Sequence, residues 1–118
     1  MTKKILIIET NAYLSETLVD LFTAFGYEVV GADADINEII NLIQKFEPAL
    51  LLIDYDKSLR TDIGSIRAQF PELKVVGFGF NEAIDGFAEI TNRLGLDGFF
   101  SKYAPQEHLL QSIKTLLP

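Results

Sequence analysis

The chain has 118 residues, 48% of them hydrophobic, which is enough for one domain with a real core and too little for two. Ten Lys and Arg against seventeen Asp and Glu give a net charge of -7 with no basic face, which argues against direct nucleic-acid binding. The lack of Cys excludes a disulfide framework, a thiolate metal site and a Cys nucleophile, and no apolar run has the length of a signal-peptide core or a membrane span, so a soluble cytoplasmic protein is expected.

Ile5-Leu6-Ile7-Ile8 is fully apolar and ends on Glu9-Thr10, which reads as a buried strand delivering an acid to its end. A helix follows, with Leu14, Leu18, Leu21, Phe22 and Phe25 on one face, Asn11 or Ser15 as its cap and Gly26 as a left-handed stop. Tyr27-Glu28-Val29-Val30 is a short strand. Asp35 with Glu38 forms a capping-box-like start to a second helix, lined by Ile36, Ile39, Ile40, Ile43 and Phe46 and stopped by Pro48. The most apolar strand is Ala49-Leu50-Leu51-Leu52-Ile53, and Asp54 stands where it runs out. That carboxylate is equally readable as a site acid or as a helix N-cap.

The polar stretch Tyr55 to Asp62 predicts a loop, and Ile63, Ile66 and Phe70 a short helix ended by Pro71. Lys74 to Phe78 is a fourth strand with Gly77 inside it. Glu82 and Asp85 open a helix carrying Phe87, Ile90 and Leu94 and closed by Gly95, with Gly86 near its start. Gly98-Phe99-Phe100-Ser101-Lys102 is the fifth strand, and Pro105 begins a last helix with Leu109, Leu110, Ile113, Leu116 and Leu117. Lone His108 on that helix is read as a surface residue.

Five strand-helix units imply an α/β fold: a flavodoxin-like, doubly wound, five-stranded parallel sheet of order 2-1-3-4-5 with five helices. In that order Glu9, Thr10, Asp54, Gly79 and Lys102 all reach one rim of the sheet.

These residues resemble the receiver domains of bacterial two-component response regulators. The resemblance covers residues 1–118 as a single receiver-like domain, from Lys4-Ile5-Leu6-Ile7-Ile8-Glu9 through Leu51-Leu52-Ile53-Asp54 to Gly95-Leu96-Asp97-Gly98-Phe99-Phe100-Ser101-Lys102. It implies a signalling protein, not an enzyme. Asp54 matches the phosphoacceptor and Lys102 the lysine that contacts the phosphoryl oxygens. Gly79 and Phe99 fall on the two switch positions. Glu9, Asp54 and the carbonyl of Asp56 match the ligands of Mg²⁺. The partners implied are a histidine kinase or an output protein, or a second copy in a homodimer, at a face carrying Phe99, Tyr103 and Lys114; nucleic acid and membrane are not among them.

Four departures change the expectation. Thr10 stands where the family has a second acid, which weakens the Mg²⁺ site. Gly79 replaces the Ser or Thr whose hydroxyl ties phosphate to the switch aromatic. Tyr103 replaces a proline, and the loop after Asp54, Lys57-Ser58-Leu59-Arg60-Thr61-Asp62, lacks the family's Met-Pro and Asp-Gly pairs. The sequence therefore favours a pseudo-receiver, a receiver fold kept as a protein-interaction module. The alternatives are a Mg-dependent phosphoacceptor with altered kinetics and, from another class, a nucleotide or flavin binder. That last reading rests on Gly77-Phe78-Gly79-Phe80-Asn81-Glu82, a glycine-rich stretch better explained by close packing.

Overall fold

The computed structural model describes residues 2–80 and 87–118. β3 (Leu50–Asp54) is its axis, and all five of its residues are buried. Leu50, Leu51, Leu52 and Ile53 lose all contact with solvent; each such burial contributes roughly 2 kcal/mol before entropy is counted. A strand wetted on neither face must be central, and so it is. β1 (Lys4–Ile8) and β4 (Lys74–Gly79) flank it, with β2 (Glu28–Ala32) and β5 (Gly98–Ser101) at the edges, giving a parallel sheet of order β2-β1-β3-β4-β5. The order expected from the sequence is the one observed.

Side-chain alternation along the strands feeds two cores. Leu6, Ile8, Leu51, Ile53 and Val75 face α2 (Ile36–Phe46), α4 (Ile63–Gln69) and α5 (Phe87–Leu94), while Ile5, Ile7, Leu50, Leu52 and Val76 face α1 (Ala12–Ala24) and α6 (Gln106–Leu116). Asn11 caps α1 through Leu14 N, and Asp35 with Glu38 closes a complete capping box on α2. Gly26 and Gly95 take φ of 94° and 71° after α1 and α5, the left-handed exits that only glycine adopts cheaply.

One element departs from expectation. Tyr55–Leu59, expected as a loop, is a short helix, α3, which raises the count to six helices among the described residues. Asp54 caps it through Lys57 N, and the Ser58 and Thr61 hydroxyls donate back to the Tyr55 and Lys57 carbonyls. A single polar turn held by side-chain caps has no hydrophobic period to betray it. The predicted opening of the next helix at Glu82, Asp85 and Gly86, and the side chains of Phe87 and Ile90, lie outside the described residues. Among the described residues no helix is long and apolar enough to cross a membrane.

Candidate functional site

Parallel strands deliver their last residues to one rim, and here the delivery brings a lysine between two carboxylates. β1 ends next to Glu9, β3 on Asp54, and β5 next to Lys102. The Lys102 ammonium donates to Asp54 Oδ1 at 2.6 Å and to Glu9 Oε2 at 2.9 Å. All three side chains are at least nine-tenths buried. The remaining carboxylate oxygens are also engaged: Asp54 Oδ2 accepts from Lys57 N at 3.2 Å, and Glu9 Oε1 from Asn11 N at 3.2 Å. Asp54 is therefore a helix cap and, at the same time, one acid of the ion-paired cluster.

The electrostatics follow from that enclosure. Burial works to lower the Lys102 pKa, but its hydrogen bonds to Asp54 and Glu9 and the charges of both outweigh it and hold the ammonium above its ordinary range. The rings of Phe78 and Phe80 lie 4.8 and 5.0 Å from the same nitrogen and add to its stabilisation. The site is thus built as a closed, cation-centred cluster of net charge minus one.

A pocket of about 410 Å³ opens onto this cluster, with Thr10, Asp56, Gly79 and Phe80 in its wall. A larger depression of about 700 Å³ lies at the opposite edge, around Ile43, Phe70 and Leu73, and contains none of the candidate site residues.

Of the predicted positions, Glu9, Asp54 and Lys102 meet directly. Asp56 and Thr10 are exposed at the pocket wall. Gly79 is buried under Tyr55, and Phe99 meets the Tyr55 ring edge-on at 5.5 Å. Tyr103 is 67% exposed and its ring lies 5.1 Å from that of Phe80. Lys114 is apart from these, on the last turn of α6 over the ring of Phe25. His108 is exposed, as expected. Gly77 is closely packed, since a Cβ there would sit 3.0 Å from Leu96 and Phe99, which accords with the packing explanation of the glycine-rich stretch.

The residues fit a divalent cation poorly as they stand. The ammonium already fills the position between the two carboxylates, and among the described residues no three acidic, His or Cys side chains converge on a metal position. Mg²⁺ demands near-octahedral oxygen ligation. Here it would first have to displace Lys102 from a carboxylate.

Three site residues escaped the sequence reading: Asn11, Tyr55 and Lys57. The sequence marks Asn11 only as a cap, and Tyr55 and Lys57 lie in the stretch whose polarity predicts a loop. Lys57 also reaches Asp33 at 3.2 Å, tying α3 to the loop after β2.

No protein-family model matches the sequence, and no curated protein matches it. Solved structures do. The chain aligns over 98% of its length with the chemotaxis response regulator CheY4 of Vibrio cholerae (TM-score 0.82, 17% identity, 99% of that chain). A response regulator from Thermotoga maritima aligns equally well (TM-score 0.82, 17% identity, 98% of each chain). NtrX from Brucella abortus, solved with ADP, matches 99% of this chain at a TM-score of 0.82 and 22% identity; the match spans only 26% of NtrX, about a quarter of that protein. The fold is that of response-regulator receiver domains.

Proposed function

We propose that this chain is a receiver-type signalling module of the two-component class, with Asp54 at the phosphoacceptor position, acting through protein contact and not through a phosphate-driven switch. The observation that carries this reading is the engagement of both Asp54 oxygens, one by the Lys102 ammonium and one by the first turn of α3. An acceptor so occupied is a structural centre before it is a nucleophile. Gly79 points the same way, because no hydroxyl is available there to report phosphate to Phe99. The module works in the cytoplasm without enzymatic activity of its own. Its partners are other signalling proteins, a histidine kinase, an output protein or a second copy. The exposed Phe80 and Tyr103 rings supply apolar contact area next to the site, of the aromatic kind that dominates interface energetics.

A second reading keeps phosphorylation. An Asp54 oxygen would attack the phosphorus of a phosphodonor, the bond from phosphorus to the leaving group would break, and that group would depart with the electron pair. Lys102 supports this reading, since its ammonium is already within 2.6 Å of the acceptor and would balance the incoming charge. Glu9, Asp54 and the Asp56 carbonyl are the ligands the site would offer Mg²⁺, with Lys102 as competitor.

Intact mass after incubation with Mg²⁺ and a small phosphodonor separates the two. The wild-type chain and the Asp54→Asn variant are each expected to keep their own unmodified mass. A stable phosphoryl adduct that disappears in the variant would replace the first reading with the second.

A further inference from the structure

Gly79 is buried at the end of β4, and the space above it is already taken. A Cβ at this position would stand 2.8 Å from Tyr55 Cβ and 3.5 Å from both Tyr55 Cγ and Phe99 Cζ. The nearest atom is the root of the tyrosine side chain, which no rotamer change can withdraw. Absence of a side chain at 79 and presence of a Cβ at 55 are therefore one steric arrangement, with the ring in ordinary contact beyond it. A hydroxyl-bearing residue cannot be restored at 79 while Tyr55 keeps its place.

Tyr55 is attached at both ends of a short path. It is the first residue of α3, directly after Asp54, whose Oδ2 caps that helix through Lys57 N. Its carbonyl accepts from the Ser58 hydroxyl at 2.6 Å, and Ser58 is itself buried, so the turn carries the tyrosine as a unit. Its ring then packs edge-on against Phe99, at 5.5 Å and 84°. Phe99 lies in β5, half-buried at the edge of the sheet.

We propose that Tyr55 is the positioning residue that couples the Glu9–Lys102–Asp54 cluster to the Phe99 edge of the sheet, through the α3 cap and the ring seated over Gly79. An event that takes Asp54 Oδ2 away from Lys57 N releases the first turn of α3, moves the Tyr55 ring and changes the packing of Phe99. The route runs along the chain from the acid itself and needs no side chain at 79. The inference rests on the reading of Asp54 as the residue whose state matters, but not on what alters that state, whether phosphate, a cation or a partner.

The test is a ring-resonance measurement with ¹³C-labelled phenylalanine, the Phe99 signal being assigned from a Phe99→Leu sample. Asp54→Ala removes the cap and is expected to shift the Phe99 signal. In a Tyr55→Ala background the same substitution should move it by less than about a third as much, and in a Tyr55→Phe background by nearly the full amount, because the ring and not the hydroxyl carries the contact. Equal shifts with and without the ring would overturn the proposal. Should Asp54→Ala not fold, the steric half decides: Gly79→Ala should lower Tm by several degrees in the wild type and by less than about half as much in a Tyr55→Gly background. Tyr55→Ala should give no such relief, since it keeps the offending Cβ. An undiminished loss in the Tyr55→Gly chain would show that Tyr55 does not hold the space over Gly79. Neither measurement uses a phosphodonor, so failure here and failure to phosphorylate are separate results.

Discussion

Two aspartates beside strand ends, both largely shielded from solvent, hold long-range cations among the described residues, and they hold them differently. Asp97, just before β5, grips the Arg67 guanidinium at 2.6 and 3.3 Å and exchanges hydrogen bonds with the Val75 backbone, accepting from its N–H at 2.8 Å and donating to its carbonyl at 2.7 Å. Every partner is rigid: a planar fork and a strand. Asp54, at the opposite rim, holds a lysine shared with Glu9 and the first turn of a five-residue helix. A lysine is a point charge on a flexible stem, and another cation can stand in for it, whereas the bidentate fork matches only a guanidinium. One cluster ties β4, β5 and α4 together; the other is closed but exchangeable.

The largest expected effect comes from emptying the exchangeable cluster. Lys102→Met leaves Glu9 and Asp54 buried side by side with no countercharge, and removal of one partner from a buried pair costs about 3–5 kcal/mol. Chemical denaturation should register that loss, and Mn²⁺ should recover part of it in the variant while hardly affecting the wild type. A loss below about 1 kcal/mol, within the range of an exposed pair, would mean that the ammonium does not bridge the acids in solution. The pH dependence has a definite sign. Because the folded Lys102 pKa is raised above 10.5, its contribution is complete below that value and disappears as pH rises through the folded one. The wild type should therefore lose more stability than Lys102→Met on the alkaline side.

Asp97→Asn should cost less, about 1–2 kcal/mol, since Arg67 is about a third exposed and retains access to water. Burial works to raise the Asp97 pKa, but the hydrogen bonds from Arg67 and Val75 and the charges of Arg67 and Lys74 lower it below 3.8. Its contribution is present above pH 3.8 and is lost as pH falls through the folded value. The variant should accordingly show a shallower acid limb in equilibrium unfolding, with the alkaline limb unchanged. The two clusters would then be separable on opposite sides of neutrality.

The difference between the clusters also marks what could be read from the sequence. Apolar runs such as Leu50 to Ile53 announce a doubly buried strand, and five strand-helix units imply the order of the sheet and hence the meeting of Glu9, Asp54 and Lys102. Strand ends were legible because position along a parallel strand determines the rim. The α3 turn was not, because its stability lies in the Asp54, Ser58 and Thr61 side chains and leaves no hydrophobic period. The Asp97–Arg67 pair was equally silent: residues 30 positions apart, joined across an edge by tertiary packing, carry no local signature. Gly79 was noticed for the hydroxyl it lacks, while the physical reason, the Tyr55 Cβ above it, needs coordinates.

The smallest effect sharpens the comparison most. Thr10 is exposed at the mouth of the pocket, so Thr10→Asp should leave metal-free stability within about 0.5 kcal/mol. It adds a third carboxylate to a centre that now has one cation for two acids. The extra negative charge widens the excess that Lys102 leaves uncompensated, and a divalent ion gains an oxygen ligand that no existing hydrogen bond occupies. Mn²⁺ affinity, followed by water-proton relaxation, should rise about tenfold, a change of about 1.4 kcal/mol. The Thr10→Asp, Lys102→Met double variant should bind more tightly than either single one, because it removes the competitor as well as supplying the ligand. Were the double variant no tighter than Thr10→Asp alone, the ammonium would not be competing for the cation position, and the exchangeability that distinguishes this cluster from Asp97 and Arg67 would have to be given up.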